Sequence, residues 1–262
     1  MTIAAGFRCY DGLLLASDTL YSGGANNTYG EKIWVLRAND PAVVFAGSGT
    51  VGPLTRARDE IERRIKPGMS FQRTLDTIDA ALLKVDRKFP ARDGWPHVQA
   101  LVAIRAEGHS RLYQNVPRET ALSPVDAAHV CIGQEALGNY FAESLFREGM
   151  VLEWAEIVAA YLVANCKQFA SGFCGGETHL AVVPSKEGSS AFVKTDQRYM
   201  QELESYLFGI GHALRAVLPG GSPAMSATAA TLKARAKFII EAIDQAETDS
   251  YLLPHEEADG EA

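Results

Sequence analysis

The stretch MTIAAGFRCYDGLLLASD, residues 1–18, decides how the rest of the chain is read. Thr2 to Arg8 is short, apolar and β-prone, Asp11-Gly12 supplies a turn, and Leu13 to Ser17 is a second apolar run that ends at Asp18. The chain therefore opens in strands. Outward from this pair, Tyr21 to Gly30 is rich in Gly, Asn, Ser and Thr and reads as a loop. Glu31 to Leu36 and Ala42 to Ser48 are two more strands. The second is almost wholly apolar, as expected of a strand covered on both faces.

Helical periodicity follows. Thr50 to Ile65 carries apolar residues at Val51, Leu54, Ala57, Ile61 and Ile65, and Pro67-Gly68 stops it. A second helix begins at Ser70, a good N-cap, with Phe71, Leu75, Ile78, Leu82 and Val85 on one face. Strands return at His97 to Arg105, Ser110 to Asn115 and His129 to Ile132, with Gly108 at a hairpin turn. Helices near Gln134 to Glu148 and Leu152 to Phe169, a glycine-marked loop Gly172 to Gly176, and strands His179 to Val183 and Ser190 to Lys194 complete the pattern. Each helix pair needs a sheet to cover, and each strand group needs its second face buried. Two stacked sheets with a helix layer outside each meet both demands, which predicts an α+β fold, a four-layer αββα sandwich. Two further helices, Gln197 to Val217 and Ser226 to Thr248, are split by Pro219-Gly220-Gly221. The expected organisation is a domain over 2–195, a helical extension over 196–248 packed on it, and an acidic, disordered tail over 249–262.

The chain has 262 residues and a formal net charge of -7. An acidic balance argues against a nucleic-acid partner, since phosphate binding needs clustered Lys and Arg. The basic stretch Arg56, Arg58, Arg63, Arg64 and Lys66 is interleaved with Asp59, Glu60 and Glu62 and reads as a solvated helix face. Cys9, Cys131, Cys166 and Cys174 form no CxxC pair and read as reduced thiols of a cytoplasmic protein. No apolar run reaches membrane length, and the N-terminus lacks the marks of a signal peptide. The six histidines, two of them (His97 and His179) in strands, show no HxxxH or HExxH spacing, and no Gly-rich phosphate loop occurs, so no metal or cofactor is expected.

Chemistry enters with Thr2. Met before a small residue such as Thr is normally excised, and a terminal Thr offers a hydroxyl nucleophile with a free amine two bonds away. That amine, with a reference pKa near 8, can take the hydroxyl proton directly or through water. Met-Thr alone is common and decides little. Its neighbours decide more: Asp18 ends the strand Leu13 to Ser17, Lys32 stands just before Ile33 to Leu36, and Gly47 ends the strand Ala42 to Ala46 within Ala46-Gly47-Ser48-Gly49.

Here the sequence resembles the proteasome β-type family of N-terminal nucleophile hydrolases. The residues that carry the resemblance are Thr2, Gly6, Asp11-Gly12, Ser17-Asp18, Lys32-Ile33 and Ala46-Gly47-Ser48, in the family's order and spacing apart from a short deletion before Lys32. The likeness is sharp over roughly the first 60 residues and one of element order to about residue 195. It implies a threonine-type endopeptidase that forms an acyl-enzyme on Thr2 after loss of Met1. Lys32 would lie beside the Thr2 hydroxyl, Asp18 would hold Lys32, and the Gly47 N–H would face the oxyanion. Tyr21, Phe45 and Gly49 match substrate-binding positions, with Phe45 narrowing the pocket base or serving as plain core. It also implies a polypeptide substrate, a homo-oligomeric ring in the cytoplasm, and an ATP-dependent unfoldase as partner.

Two positions depart from the family. Gln134 stands where a Ser usually follows the Gly of Ile132-Gly133, and Gln168 stands where an Asp usually precedes Ser171-Gly172. Aligning Cys174-Gly175-Gly176 instead puts Ser171 at the Asp position. Two alternatives stay open beside the peptidase: a non-catalytic structural subunit and a small-molecule amidase of the wider class.

Overall fold

The computed structural model of the chain describes residues 2–23, 26–89, 98–115, 122–194 and 197–217. The opening stretch forms a hairpin of β1 (Ile3–Cys9) and β2 (Gly12–Asp18), antiparallel with Ala4 opposite Ser17. β1 pairs on its other side with β10 (His129–Gly133), and β2 with β11 (Thr178–Pro184), which carries the edge strand β12 (Phe192–Lys194). The second sheet runs in order β5 (Ile33–Arg37), β6 (Ala42–Gly49), β7 (Val98–Ala106), β8 (His109–Asn115) and β9 (Leu122–Pro124). The β7–β8 turn places Glu107 at φ 52 and Gly108 at φ 74, the pair of positive φ values that a two-residue hairpin favours.

Side-chain alternation along β6 explains its apolar run. Val44 and Ala46 face the first sheet and pack with Ala4, Leu13, Leu15 and Leu101. Val43 and Phe45 face outward onto Leu54, Ala57 and Ile61 of α1 (Val51–Arg64) and Ile78, Ala81 and Val85 of α2 (Phe71–Lys88). α3 (Glu135–Leu145) packs on β10 and β1, and α4 (Leu152–Phe169) on β2, β1 and β11. The result is the expected α+β arrangement, helix pair, sheet, sheet, helix pair.

Four local features differ from the sequence reading. The stretch Tyr21 to Gly30 contains β3 (Leu20–Gly23) and β4 (Asn26–Tyr29), paired as a separate two-stranded ribbon with Leu20 opposite Tyr29. Ser22, Gly23, Asn26 and Asn27 dilute the strand preference of Tyr21, Thr28 and Tyr29; the ribbon is set by backbone pairing and by the Gly30 N–H, which donates to the Thr19 carbonyl at 3.0 Å. The three-residue β9 has no periodicity to read and is pinned by its Leu122 N–H, which donates to Asp79 Oδ1 at 2.7 Å. α3 stops at Leu145 rather than Glu148 because Phe146 turns extended (φ -74, ψ 140) and buries its ring 5.0 Å from that of Phe7. Glu60 lies in no solvated face: it is 8% exposed and accepts from Arg63, Arg64 and Lys84, stapling α1 to α2.

The chain divides into two units, Met1–Glu204 and Ser205–Ala262, with the boundary inside α5 (Gln197–Val217). In the first unit α5 buries Met200; in the second, Tyr206 is exposed. The expected strand start at His97, the helix Ser226 to Thr248 and the acidic tail lie outside the described residues.

Candidate active site

Strand register gathers one set of strand ends. Ile3 is opposite Gly133, Ala4 opposite Ser17, and Thr178 opposite Asp18; on the second sheet Ile33 is opposite Ala46 and Gly49 opposite Val98. The residues at these ends, Thr2, Asp18 and Lys32, meet there. All three are shut away from solvent, with Thr2 3% exposed and Asp18 and Lys32 0%.

Lys32 Nζ donates to Thr2 Oγ1, to the Leu20 carbonyl, and to Asp18 Oδ1 at 2.8 Å. An ammonium has three donors, and these acceptors use all of them. The Thr2 hydroxyl in turn donates to Asp18 Oδ1. The Asp18 carboxylate is further held by backbone N–H groups: Ile3 to Oδ1 at 3.2 Å, Leu20 to Oδ2 at 3.2 Å and Gly175 to Oδ2 at 2.9 Å. A buried ion pair is tolerated when its remaining hydrogen-bonding capacity is met, as it is here. Burial pushes the Lys32 ammonium below the ordinary lysine range, although the Asp18 charge and hydrogen bond pull the other way. The neutral amine is thereby brought nearer to physiological pH.

The main chain of Thr2 is fixed as well. Its carbonyl accepts the Gln134 N–H at 2.8 Å. Gly133 allows this approach: at φ +80, a Cβ there would sit 2.0 Å from the Thr2 oxygen.

The other residues singled out from the sequence are placed less uniformly. Tyr21 lies beside the cluster, its ring centroid 5.0 Å from Lys32 Nζ and its hydroxyl donating to the Glu31 carbonyl at 2.5 Å. Gly49 ends β6 on the exposed side at φ 127. Phe45 is fully buried and stacks on Trp34 at 5.8 Å between the second sheet and α1, a core position. The Gly47 N–H donates to the Lys32 carbonyl at 2.9 Å, so the β5–β6 ladder uses the donor that the resemblance assigns to an oxyanion. Gly47 also has a packing reason to be glycine: a Cβ would meet Leu54 Cδ1 at 2.1 Å. Gln134 reaches the site through its backbone. Gln168 is exposed on α4, away from the buried cluster.

Sequence reasoning missed the Leu20 carbonyl and the Gly175 N–H, which act through the main chain and carry no side-chain signal. The available hint was Gly175-Gly176. At Gly176 (φ +75) a Cβ would lie 2.2 Å from Thr19 Oγ1, so the turn closes on β2 only with glycine. The thiols nearby are inert: burial pushes Cys166 and Cys174 up to about 12, with the Asp18 charge adding to both. Among the described residues no group of three or more His, Cys, Asp or Glu side chains is placed to hold a metal, and no helix is long and apolar enough to cross a membrane.

The helix-sheet-sheet-helix sandwich of this chain is a fold of proteasome-like kind, and Thr2, Lys32 and Asp18 stand at its strand ends. The solved structures it is similar to include several of Anbu. An Anbu described as an ancestral beta-subunit, from Yersinia bercovieri, matches at 15% identity and a TM-score of 0.69, over 84% of this chain and 99% of that one. The Anbu complex of Pseudomonas aeruginosa, described as a helical assembly, matches at 15% identity and a TM-score of 0.70, over 85% of this chain and 99% of that one. A Gly-1 mutant of Anbu from Hyphomicrobium sp. strain MC1 matches at 17% identity and a TM-score of 0.69, over 85% and 100%. No family model and no curated protein matches the sequence. At such identity the likeness is one of fold.

Proposed function

We propose that the chain is a threonine-type endopeptidase of proteasome-like kind, acting through the hydroxyl of Thr2 once Met1 is removed. The observation that carries this reading is the water-excluded contact of the Lys32 ammonium with both the Thr2 hydroxyl and Asp18. Thr2 Oγ1 attacks the scissile carbonyl carbon while its proton passes to the freed α-amine of Thr2, directly or through water. Lys32 stabilises the developing alkoxide, and Asp18 keeps Lys32 in place. The tetrahedral intermediate collapses by breaking the C–N bond. The departing amine takes a proton, leaving an ester on Thr2 that water hydrolyses. The Gly47 N–H serves the oxyanion by sharing the hydrogen it gives to Lys32; one such donor is typically worth about 3 kcal/mol of barrier. Tyr21 and Gly49 border the path of an extended substrate.

The chain would work as a homo-oligomer in the cytoplasm, in a ring or, as described for the Pseudomonas aeruginosa Anbu, a helical assembly, with an unfoldase supplying extended polypeptide. A fluorogenic peptide panel with Thr2→Ala as control tests the activity. Hydrolysis by the parent and none by the variant is expected; equal signal from both removes Thr2 as the nucleophile.

A second reading, a non-catalytic structural subunit, is favoured by the exposed Gln168 and by the occupied Gly47 N–H. Covalent capture of Thr2 by an electrophilic threonine-protease inhibitor, located by mass spectrometry, separates the two readings.

A further inference from the structure

A second, half-buried polar cluster lies behind the first. Glu204, in the second turn of α5, has a side chain only 16% exposed. It accepts from Lys167 Nζ at 2.7 Å and from Thr178 Oγ1. Lys167, in the last turn of α4, is 13% exposed and also donates to the Gly176 carbonyl at 3.0 Å. Thr178 is 1% exposed and stands directly opposite Asp18 in the β2–β11 ladder. One carboxylate thus ties α5, α4 and β11 to the turn that closes over Asp18.

That turn is held mostly through its main chain, beginning with the Cys174 N–H, which donates to the Ala170 carbonyl at 2.8 Å. It consists of Cys174, Gly175 and Gly176, and neither glycine has a side chain to pack. Its main chain is fastened to β2 and its exit: Gly175 N–H to Asp18 Oδ2 at 2.9 Å, Thr19 and Leu20 N–H to the Gly175 carbonyl at 3.2 and 3.0 Å, and Glu177 N–H to Thr19 Oγ1 at 2.9 Å. The grip of Lys167 on Gly176 is the side-chain link that holds this strip down from behind. We propose that Glu204 and Lys167 are positioning residues for the site: through Gly176 and Thr178 they hold the Gly175 N–H on Asp18, and so fix the carboxylate that orients Lys32. The inference rests on the reading of Lys32 as the group that activates Thr2. It also gives the first turns of α5, beyond the strands of the sandwich, a part in that reading.

Loosening the cluster acts on Lys32 in one direction. Asp18 loses an N–H donor, so its charge attracts the ammonium more strongly, and water gains access to the pocket. Both effects favour the charged lysine. Glu204→Gln and Lys167→Met in the full chain should each lower kcat roughly tenfold to a hundredfold, the scale of a small misplacement of catalytic groups. KM should change little, because neither residue belongs to the Thr2 cluster, and the alkaline limb of the pH–rate profile, where the Lys32 ammonium is lost, should move to higher pH. Lys167→Arg, which keeps both the charge and the donors, should recover most of kcat.

Thermal melts establish that each variant is folded; if Glu204→Gln unfolds, Thr178→Val and the Lys167 pair carry the decision. The second readout needs no turnover: lysine ε-carbon NMR, with the Lys32 signal identified by its loss in Lys32→Arg, follows that titration directly. A Lys32 titration unchanged in the folded variants overturns the proposal, as does unchanged kcat in an active enzyme. If the parent itself shows no Thr2-dependent hydrolysis, the peptidase reading fails, while the Lys32 titration still decides this one.

Discussion

Lys32 is the residue on which the fold's stability and its chemistry bear together. Its stem and ammonium are wholly buried and its three donors are spent on Thr2, Leu20 and Asp18. Lys32→Met leaves the Asp18 carboxylate buried without its cation, so it should cost about 3–5 kcal/mol of stability, read as a lowered urea midpoint, as well as peptide hydrolysis. Lys32→Arg should also be inactive, because a planar guanidinium cannot take the place of a compact ammonium whose three donors reach Thr2, Leu20 and Asp18. The lowered pKa of Lys32 fixes a sign. Between its folded value and the ordinary lysine value near 10.4, the unfolded chain binds more protons than the folded one, so stability rises with pH across that window. Urea midpoints measured against pH should show this alkaline rise in the parent and not in Lys32→Met. Gly47 makes a different prediction. Its alanine variant drives a methyl into Leu54, at a typical overpacking cost of about 1–3 kcal/mol, and a second substitution, Leu54→Val, should return part of that loss.

At the scale of elements, the α1–α2 seam carries its own acid switch. Glu60 accepts from Lys84 at 2.8 Å and from Arg63 at 2.9 Å, and also from Arg64, and these partners hold its carboxyl down at about 2. A carboxylate depressed in the folded state contributes stability that is present above its unfolded pKa and is lost as pH falls from about 4.5 toward about 2. Glu60→Gln should flatten that part of the acid unfolding curve followed by circular dichroism. The sequence reading took Glu60 for part of a solvated face because its decisive partner, Lys84, lies on another helix and no local pattern joins them. The same limit explains what else went unread. The strands β1, β2 and β6 and the helices α1, α2 and α4 announced themselves through apolar periodicity, and Thr2, Asp18 and Lys32 were singled out through the resemblance, at positions that fall at strand ends. The β3–β4 ribbon did not, because Ser22, Gly23, Asn26 and Asn27 mask the strand preference of Tyr21, Thr28 and Tyr29. Leu20 and Gly175 did not, because they contribute a carbonyl and an N–H that every residue has.

For the molecule as a whole, the strand ends of both sheets gather around one buried cluster, and Thr2 is 3% exposed within it. Intact mass measurement of the purified protein should find a chain that begins at Thr2, and native mass measurement should find a homo-oligomer; a retained Met1 removes the free amine the reaction needs. The moorings of Thr2 bear on how that amine is unveiled. The Thr2 carbonyl is held by Gln134 and the Ile3 amide by Asp18, and both atoms lie downstream of the bond between Met1 and Thr2. Cutting that bond severs neither tether. On the proposed reading, removal of Met1 would bare an amine on a residue that the scaffold already holds in place.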